Sequence, residues 1–343
     1  MKKSLIALAI AATATAGSVS AAEIYKTDEG SINFYGQLRT ELKWNDIGEN
    51  NPELSSGSSR TGIDGSYKLT DDVKVIGLVE VSVDEDSDMY VRQHIFGLAS
   101  DSLGTIKFGK QWTVSDDVYG ADYSYFYGGS ALRYGTLSDA EHDAMIKYEY
   151  VADSFWIKAD YGLPNNDKEQ ELAELFAGTS FGDLDVHVGG GYNIGQPKAS
   201  KGIDVKNTYG EATAEYNYSK GVIGFTYYYA KLKSQSSVDS SIEENGFSLA
   251  GTFAWSDKGT GYAGYEYTMQ DPDFGNLDSE DGTLIYLGSD YQMLEFVRVY
   301  AEVAYADGTT LGYEAGGSGS GNVVGPTMVD SEVLLGLGAR FYW

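Results

Sequence analysis

Cysteine is absent from this 343-residue chain. That excludes disulfide staples and thiolate metal sites alike. Only three histidines occur, His94, His142 and His187, so imidazole chemistry has few places to reside. Proline is scarce at 5 residues, which suits long hydrogen-bonded ladders, since proline removes a donor from them. No stretch approaches the ~18 consecutive apolar residues that a membrane-crossing helix needs, and mean hydropathy is only −0.30. Basic charge is also short: 24 Lys and Arg stand against 51 Asp and Glu, for a formal net charge of −27. Nucleic acid is therefore not an expected partner, because binding its phosphates needs a basic face. Cations are the natural guests of such a field.

The first 21 residues read as a secretory signal, and 22–343 as a single domain. Lys2 and Lys3 form the positive start, Leu5–Ala16 the apolar stretch, and Val19-Ser20-Ala21 the small-residue cleavage site. Cleavage there removes two lysines and no acid, deepening the net charge to −29. What remains is rich in glycine, at 43 residues, and tyrosine, at 28. Aromatic enrichment with little proline favours many strands.

The strand signal is strongest in Ser331–Trp343. Val333, Leu335, Leu337, Ala339, Phe341 and Trp343 share one face there, because strand side chains alternate with period two. Lipid is the economical cover for such a face. Ser31–Trp44 sets Phe34, Gly36, Leu38 and Leu42 against Gln37, Arg39, Glu41 and Lys43. Glu295–Ala306 sets Val297, Val299, Ala301, Val303 and Tyr305 against Arg298, Tyr300 and Glu302. About sixteen such segments recur, within the even strand numbers of membrane β-barrels. Tight turns such as Ala152–Ser154 and Phe181–Asp183 alternate with long polar connections such as Trp112–His142 and Asp307–Val329. Short turns on one side and long loops on the other are the habit of an outer-membrane barrel. Tyr35, Trp44, Trp112, Tyr161, Tyr218, Trp255, Tyr291 and Trp343 fall near strand ends, where membrane-interface girdles are expected. The expected fold is all-β: a transmembrane antiparallel β-barrel of about 16 strands.

If the apolar faces meet lipid, the opposite faces line an interior holding charges of both signs. Unpaired ions cannot fill a dry core, at a cost of several kcal/mol each, but they can line water. A barrel of this size leaves an aqueous channel. Trp112–His142 carries Asp116, Asp117 and Asp122, then Tyr123, Tyr125, Phe126, Tyr127 and Gly128-Gly129. A loop so aromatic is expected to fold inward and narrow the bore. Its acids would then face wall arginines, Arg39, Arg60 and Arg92, across a transverse field.

These residues resemble the general diffusion porins of Gram-negative bacteria, particularly those of vibrios. The resemblance is carried by Ala22-Glu23-Ile24-Tyr25, Phe34-Tyr35-Gly36-Gln37, Gly104–Lys110, Phe126-Tyr127-Gly128-Gly129 and the aromatic terminus. It implies a homotrimer of sixteen-stranded barrels, each channel narrowed by its third loop. Arg60 and Arg92 match the family's basic wall positions, and Asp122 its loop acid. Gln37 replaces a first-strand lysine, with Arg39 one inward position on. Phe126 stands where the family keeps a loop glutamate, and Glu141-His142 where it keeps a wall base. Fewer bases and retained acids imply cation preference, with Phe126 offering an apolar ring to the passage. The resemblance further implies contact with lipopolysaccharide and outer-membrane lipid, and periplasmic chaperones and insertion machinery that read the terminal strand.

The residues leave other readings open. Trp112, Tyr125 and Phe126 could form the stacking track of a sugar-selective channel. Asp185-Val186-His187 and His142-Asp143 pair carboxylates with imidazoles, yet no serine has a nucleophile setting, so catalysis is not expected. Asp84–Asp88 could bridge a divalent cation or form a solvated tip, and it lacks EF-hand spacing. Gly316–Gly321 reads as a flexible external loop, not a phosphate cradle. No cofactor or metal is called for.

Overall fold

The computed structural model describes residues 22–45, 47, 51–84, 89–129, 141–164, 171–195, 204–236, 240–273, 278–310 and 327–343. The expected signal segment 1–21, most of the Asp84–Asp88 tip and the Gly316–Gly321 run lie outside them.

Strands dominate. In order they are β1 (Ala22–Lys26), β2 (Gly30–Asn45), β3 (Glu53–Ser55), β4 (Arg60–Lys68), β5 (Val73–Ser82) and β6 (Val91–Ser100). Then come β7 (Gly104–Trp112), β8 (Glu141–Val151), β9 (Phe155–Gly162), β10 (Glu171–Phe181), β11 (Leu184–Gly195) and β12 (Val205–Tyr218). The last six are β13 (Gly221–Ser234), β14 (Ser241–Ala254), β15 (Gly259–Asp273), β16 (Glu280–Leu294), β17 (Val297–Thr310) and β18 (Thr327–Tyr342).

Each strand pairs antiparallel with its neighbour, and β18 returns to β2 to close the ring. The eighteen elements make sixteen staves, because two staves are each built from two pieces. On one flank of β2, β4 covers residues 30–37 and β3 covers 41–43. On the other flank β18 covers 37–45 and β1 covers the stretch from Ser31 to Phe34. Trp343 joins this flank through two backbone bonds with Gly36, at 3.1 and 3.2 Å. Full closure leaves no unpaired edge, which is the condition for a sheet to cross lipid.

The distribution of side chains is inverted relative to a soluble protein. Leu38, Ile63, Phe96, Leu175, Val188, Leu249, Leu287 and Phe341 are exposed on the outside. Glu41, Glu80, Lys147, Asp160, Glu174, Glu266, Glu302 and Arg340 are buried within. Leaving one Leu- or Phe-sized side chain in water forfeits about 1.5–3 kcal/mol, so an outside of this kind belongs in hydrocarbon. Along β17, Ala301, Val303 and Tyr305 are exposed while Tyr300, Glu302 and Ala304 are buried, which is the alternation of the sequence made visible.

Two aromatic positions correct the girdle expectation. Tyr35 points inward, its hydroxyl donating to Glu80 at 3.1 Å. It shares parity with Gln37 and Arg39, so the two-residue period places it on the inner face. Trp112 lies beneath Arg92, whose guanidinium carbon is 4.9 Å from the ring centre. The register of β7 against β8 shifts between Gly109 and Gln111, so simple alternation fails just before this residue. Tyr161, Trp255 and Tyr291 do face outward.

Candidate functional site

The described part of the longest loop, 113–129, folds into the barrel. It opens with one helical turn, α1 (Val114–Val118), whose start is capped by the Thr113 hydroxyl accepting from the Asp116 amide at 3.3 Å. Wall carboxylates then accept from its backbone. Val114 N–H donates to Asp160 on β9 at 2.7 Å, and Ser115 N–H to Glu174 on β10 at 2.8 Å. Ala121 N–H donates to the Thr226 hydroxyl on β13 at 2.8 Å, and its carbonyl accepts from Ser248 on β14 at 2.5 Å.

The far end is held more tightly still. Glu302 on β17 accepts from three successive amides, Tyr125 at 2.7, Phe126 at 3.2 and Tyr127 at 2.9 Å. Tyr262 adds a hydroxyl donor to the same carboxylate at 3.0 Å, and Glu266 accepts from Gly129 N–H at 2.6 Å. Charge-assisted bonds of this kind are about twice as strong as neutral ones. The loop therefore lies along the inner wall from β8 to β17.

Facing the remaining wall is an arc of arginines. Arg298 on β17 is the ladder partner of Arg340 on β18, and Arg340 is the partner of Arg39 on β2. Arg60 on β4 and Arg92 on β6 extend the arc, both within salt-bridge reach of Glu80, at 3.4 and 2.9 Å. Arg92 stands as the extra residue of a bulge, since Gln93 pairs with Glu80 and Val91 with Val81. Arg39 approaches Glu41 only to 3.9 Å.

The sequence-derived candidates separate in this frame. Asp117 pairs with Lys147 on β8. Asp116 lies beside it, within electrostatic range of both Lys147 and Arg92. Burial, then the neighbouring Asp117, pushes the Asp116 carboxyl up to about 7. Asp122 turns back into its own loop, accepting from Ser124 N–H at 2.9 Å and from the Ser124 hydroxyl at 3.1 Å. Burial raises its carboxyl too, though the Ser124 donors pull against that rise. Phe126 is buried against Tyr300, with ring centres 5.2 Å apart, and against Gly336. Its ring thus sits on the wall instead of projecting into the passage. A Cβ at Gly336 would come within 2.5 Å of that ring, so only glycine admits the contact.

Arg340 was absent from the candidates, although alternation in the last strand already set it on the inner face. It is stacked 4.7 and 4.8 Å from the rings of Tyr125 and Tyr300. The aromatic track expected from Trp112, Tyr125 and Phe126 is split, the first ring under Arg92 and the other two against Tyr300. His187 takes its carboxylate from Glu211 on β12, at 3.1 Å, not from Asp185, which accepts from Ser180 and Asn217.

Comparison with known proteins agrees with this architecture. The family described as Gram-negative porin matches residues 7–311. A major outer membrane protein of Pasteurella multocida is 24% identical over 99% of this chain and 100% of its own length. The trimer form of OmpT, an outer membrane protein of Vibrio cholerae, superposes with a TM-score of 0.84 at 48% identity. That likeness covers 92% of this chain and 100% of the other. An anion-selective porin from Comamonas acidovorans shares the fold alone, with a TM-score of 0.74 at 16% identity over 92% of this chain and 100% of the other.

Proposed function

The chain belongs to the Gram-negative porin family, a channel of the outer membrane without catalytic activity, and on that premise we propose how it selects what passes. Small hydrophilic solutes and ions diffuse through each barrel, and cations are favoured over anions. The observation that carries this reading is the long loop fastened inside a barrel whose inner face carries ionic side chains of both signs.

Passage is narrowest between the loop's α1 edge and the arginine arc. Asp116 and Asp117 act from the loop, and Arg39, Arg60 and Arg92 from the wall. Asp122 and Phe126 contribute by holding the loop's shape. Fixed charges of opposite sign across a narrow bore orient dipolar solutes, and a low-dielectric wall strengthens the field. Cation preference is supported by the surplus of 51 acids over 24 bases. It is further supported by the engagement of Arg60 and Arg92 with Glu80.

Assembly follows the same premise. Residues 1–21 direct export and are removed, leaving 22–343 as the barrel domain. Three copies associate within outer-membrane lipid and lipopolysaccharide, supported by the trimer form of the Vibrio cholerae relative. Periplasmic chaperones and the insertion machinery recognise the terminal strand.

Reversal potential under a KCl gradient tests the selectivity. A value with the sign of K⁺ permeation supports the proposal, and one with the sign of Cl⁻ overturns it.

A further inference from the structure

The outer wall is apolar, but its relief is uneven. Large side chains such as Leu249, Ile285 and Leu287 stand out from β14 and β16. On β10 to β12 the outward positions shrink. The rung Thr179–Val186–Ala214 and the rung Ala177–Val188–Ala212 cross three strands with no residue larger than valine. Phe155 on β9 flanks the first rung, and Phe225 and Tyr227 on β13 close both. Small residues between aromatic walls leave a trough of about 610 Å³. One rung further from the turns, the matched pair Gly190 and Gly210 prolongs its floor.

The trough has little to offer a polar ligand. The Thr179 hydroxyl donates to the Ser154 carbonyl at 2.6 Å, and the Tyr227 hydroxyl to Asn245 Oδ1 at 2.6 Å. Its outward polar groups are thus spent within the wall, and hydrocarbon is the fitting occupant. An empty trough is unfavourable, because its lining loses contacts on one side. A second barrel, convex on its outside, does not reach a recessed floor about 10 Å wide between β10 and β12. Flexible acyl chains do. From Val186 to Gly190 the strand rises about 13 Å, close to one leaflet's half of a hydrocarbon core ~30 Å thick.

The short turns at the base of the trough are periplasmic in an outer-membrane barrel. Asp153 lies in the turn before the Phe155 wall, Asp183 in the turn below the floor, and Lys220 in the turn below the Phe225 wall; all three are exposed. Successive turns stand about 10 Å apart, two strand spacings. The Lys220 ammonium rests 5.5 Å from the ring centre of Phe253, an exposed residue, so it sits on the outer surface. Two carboxylates and one ammonium at this rim complement a zwitterionic headgroup, its ammonium toward the acids and its phosphate toward the lysine. We propose that the trough is a defined site for one zwitterionic phospholipid of the periplasmic leaflet, with its chains on the floor and its headgroup at Asp183 and Lys220. Such a site goes beyond the general contact of any barrel with lipid. Its affinity comes from close packing against small residues and rings, since hydrocarbon supplies no hydrophobic drive of its own.

Native mass spectrometry of the full protein in detergent tests this, with phosphatidylethanolamine titrated in one series and phosphatidylglycerol of matched chains in the other. The expected result is one saturable phosphatidylethanolamine adduct per chain, bound more tightly than phosphatidylglycerol. Ala212→Phe and Ala214→Phe fill the floor and should abolish the saturable adduct. Asp183→Asn and Lys220→Gln should each weaken it roughly tenfold, the loss of one charge-assisted hydrogen bond. Asp183→Asn should also narrow the preference over phosphatidylglycerol. Ala263→Phe, exposed on β15, should match the unmodified protein. Steps of KCl conductance verify that each variant is a folded channel, and the rim variants keep the test intact where a phenylalanine prevents folding. Equal affinity for the two lipids overturns the proposal, as does an adduct unmoved by the floor and rim variants. A trimer that dissociates in the floor variants overturns it as well, because a second copy would then cover this face.

Discussion

Asp116 is the residue whose chemistry is most open to measurement. Burial and the adjacent Asp117 place its carboxyl at about 7, so it is largely neutral at pH 6 and charged at pH 8. Removing negative charge from the narrowest region must weaken attraction for cations. K⁺ preference is therefore expected to decline as pH falls from 8 to 6, and Asp116→Asn should remove most of that dependence. A reversal potential equally steep in pH for the variant would contradict the assignment. Asp122→Asn, by contrast, should leave selectivity nearly unchanged, because that carboxylate bonds to Ser124 within its own loop. Much at this scale was legible in the sequence: odd–even parity alone set Arg39, Glu41, Arg298 and Glu302 inside. Parity also held Tyr35 and Arg340, but interfacial habit and the apolar face drew attention elsewhere. Arg92 was reached through the family resemblance, and its inward turn, like the placement of Trp112, rests on a register shift that leaves no trace in alternation.

The inward loop is the element that turns a tube into a sieve. Its aromatic content announced that it would not stand in free solvent. Its seat was illegible, because Glu302 lies more than a hundred residues beyond the amides it receives. Which inner acids meet which amides depends on the stagger of the nine intervening strands, β8 to β16. Glu302→Ala would strand four donors, the three loop amides and the Tyr262 hydroxyl, at about 1–3 kcal/mol for each one left buried. The barrel ladder is untouched by that change, so the expected effect is local: noisier open-channel current and faster proteolysis within 113–129, with unaltered strand content by circular dichroism. Unchanged noise and proteolysis would show that the carboxylate does not fasten the loop. Gly336→Val attacks the same seat from the wall, displacing Phe126 at an overpacking cost of about 1–3 kcal/mol. Its single-channel conductance should differ from that of the unmodified protein by tens of per cent. Identical conductance would mean that Phe126 does not set the loop's position.

Across the whole molecule, one ribbon separates two solvents. Exposed Leu38, Ile63, Leu175 and Phe341 meet lipid, and buried Glu80, Lys147, Glu266 and Arg340 meet the interior. Closure through β2 and β18 allows both without an unpaired edge. This architecture was the most legible part of the chain, since period-two alternation and alternating turn lengths are local signals repeated sixteen times around the ring. The central claim is that water fills the ring and size limits entry. Swelling of proteoliposomes in an isotonic series of neutral sugars, from pentose to trisaccharide, measures it directly. The account predicts rates that fall smoothly with solute size and do not saturate with concentration; correctly folded barrels that admit no pentose would contradict it.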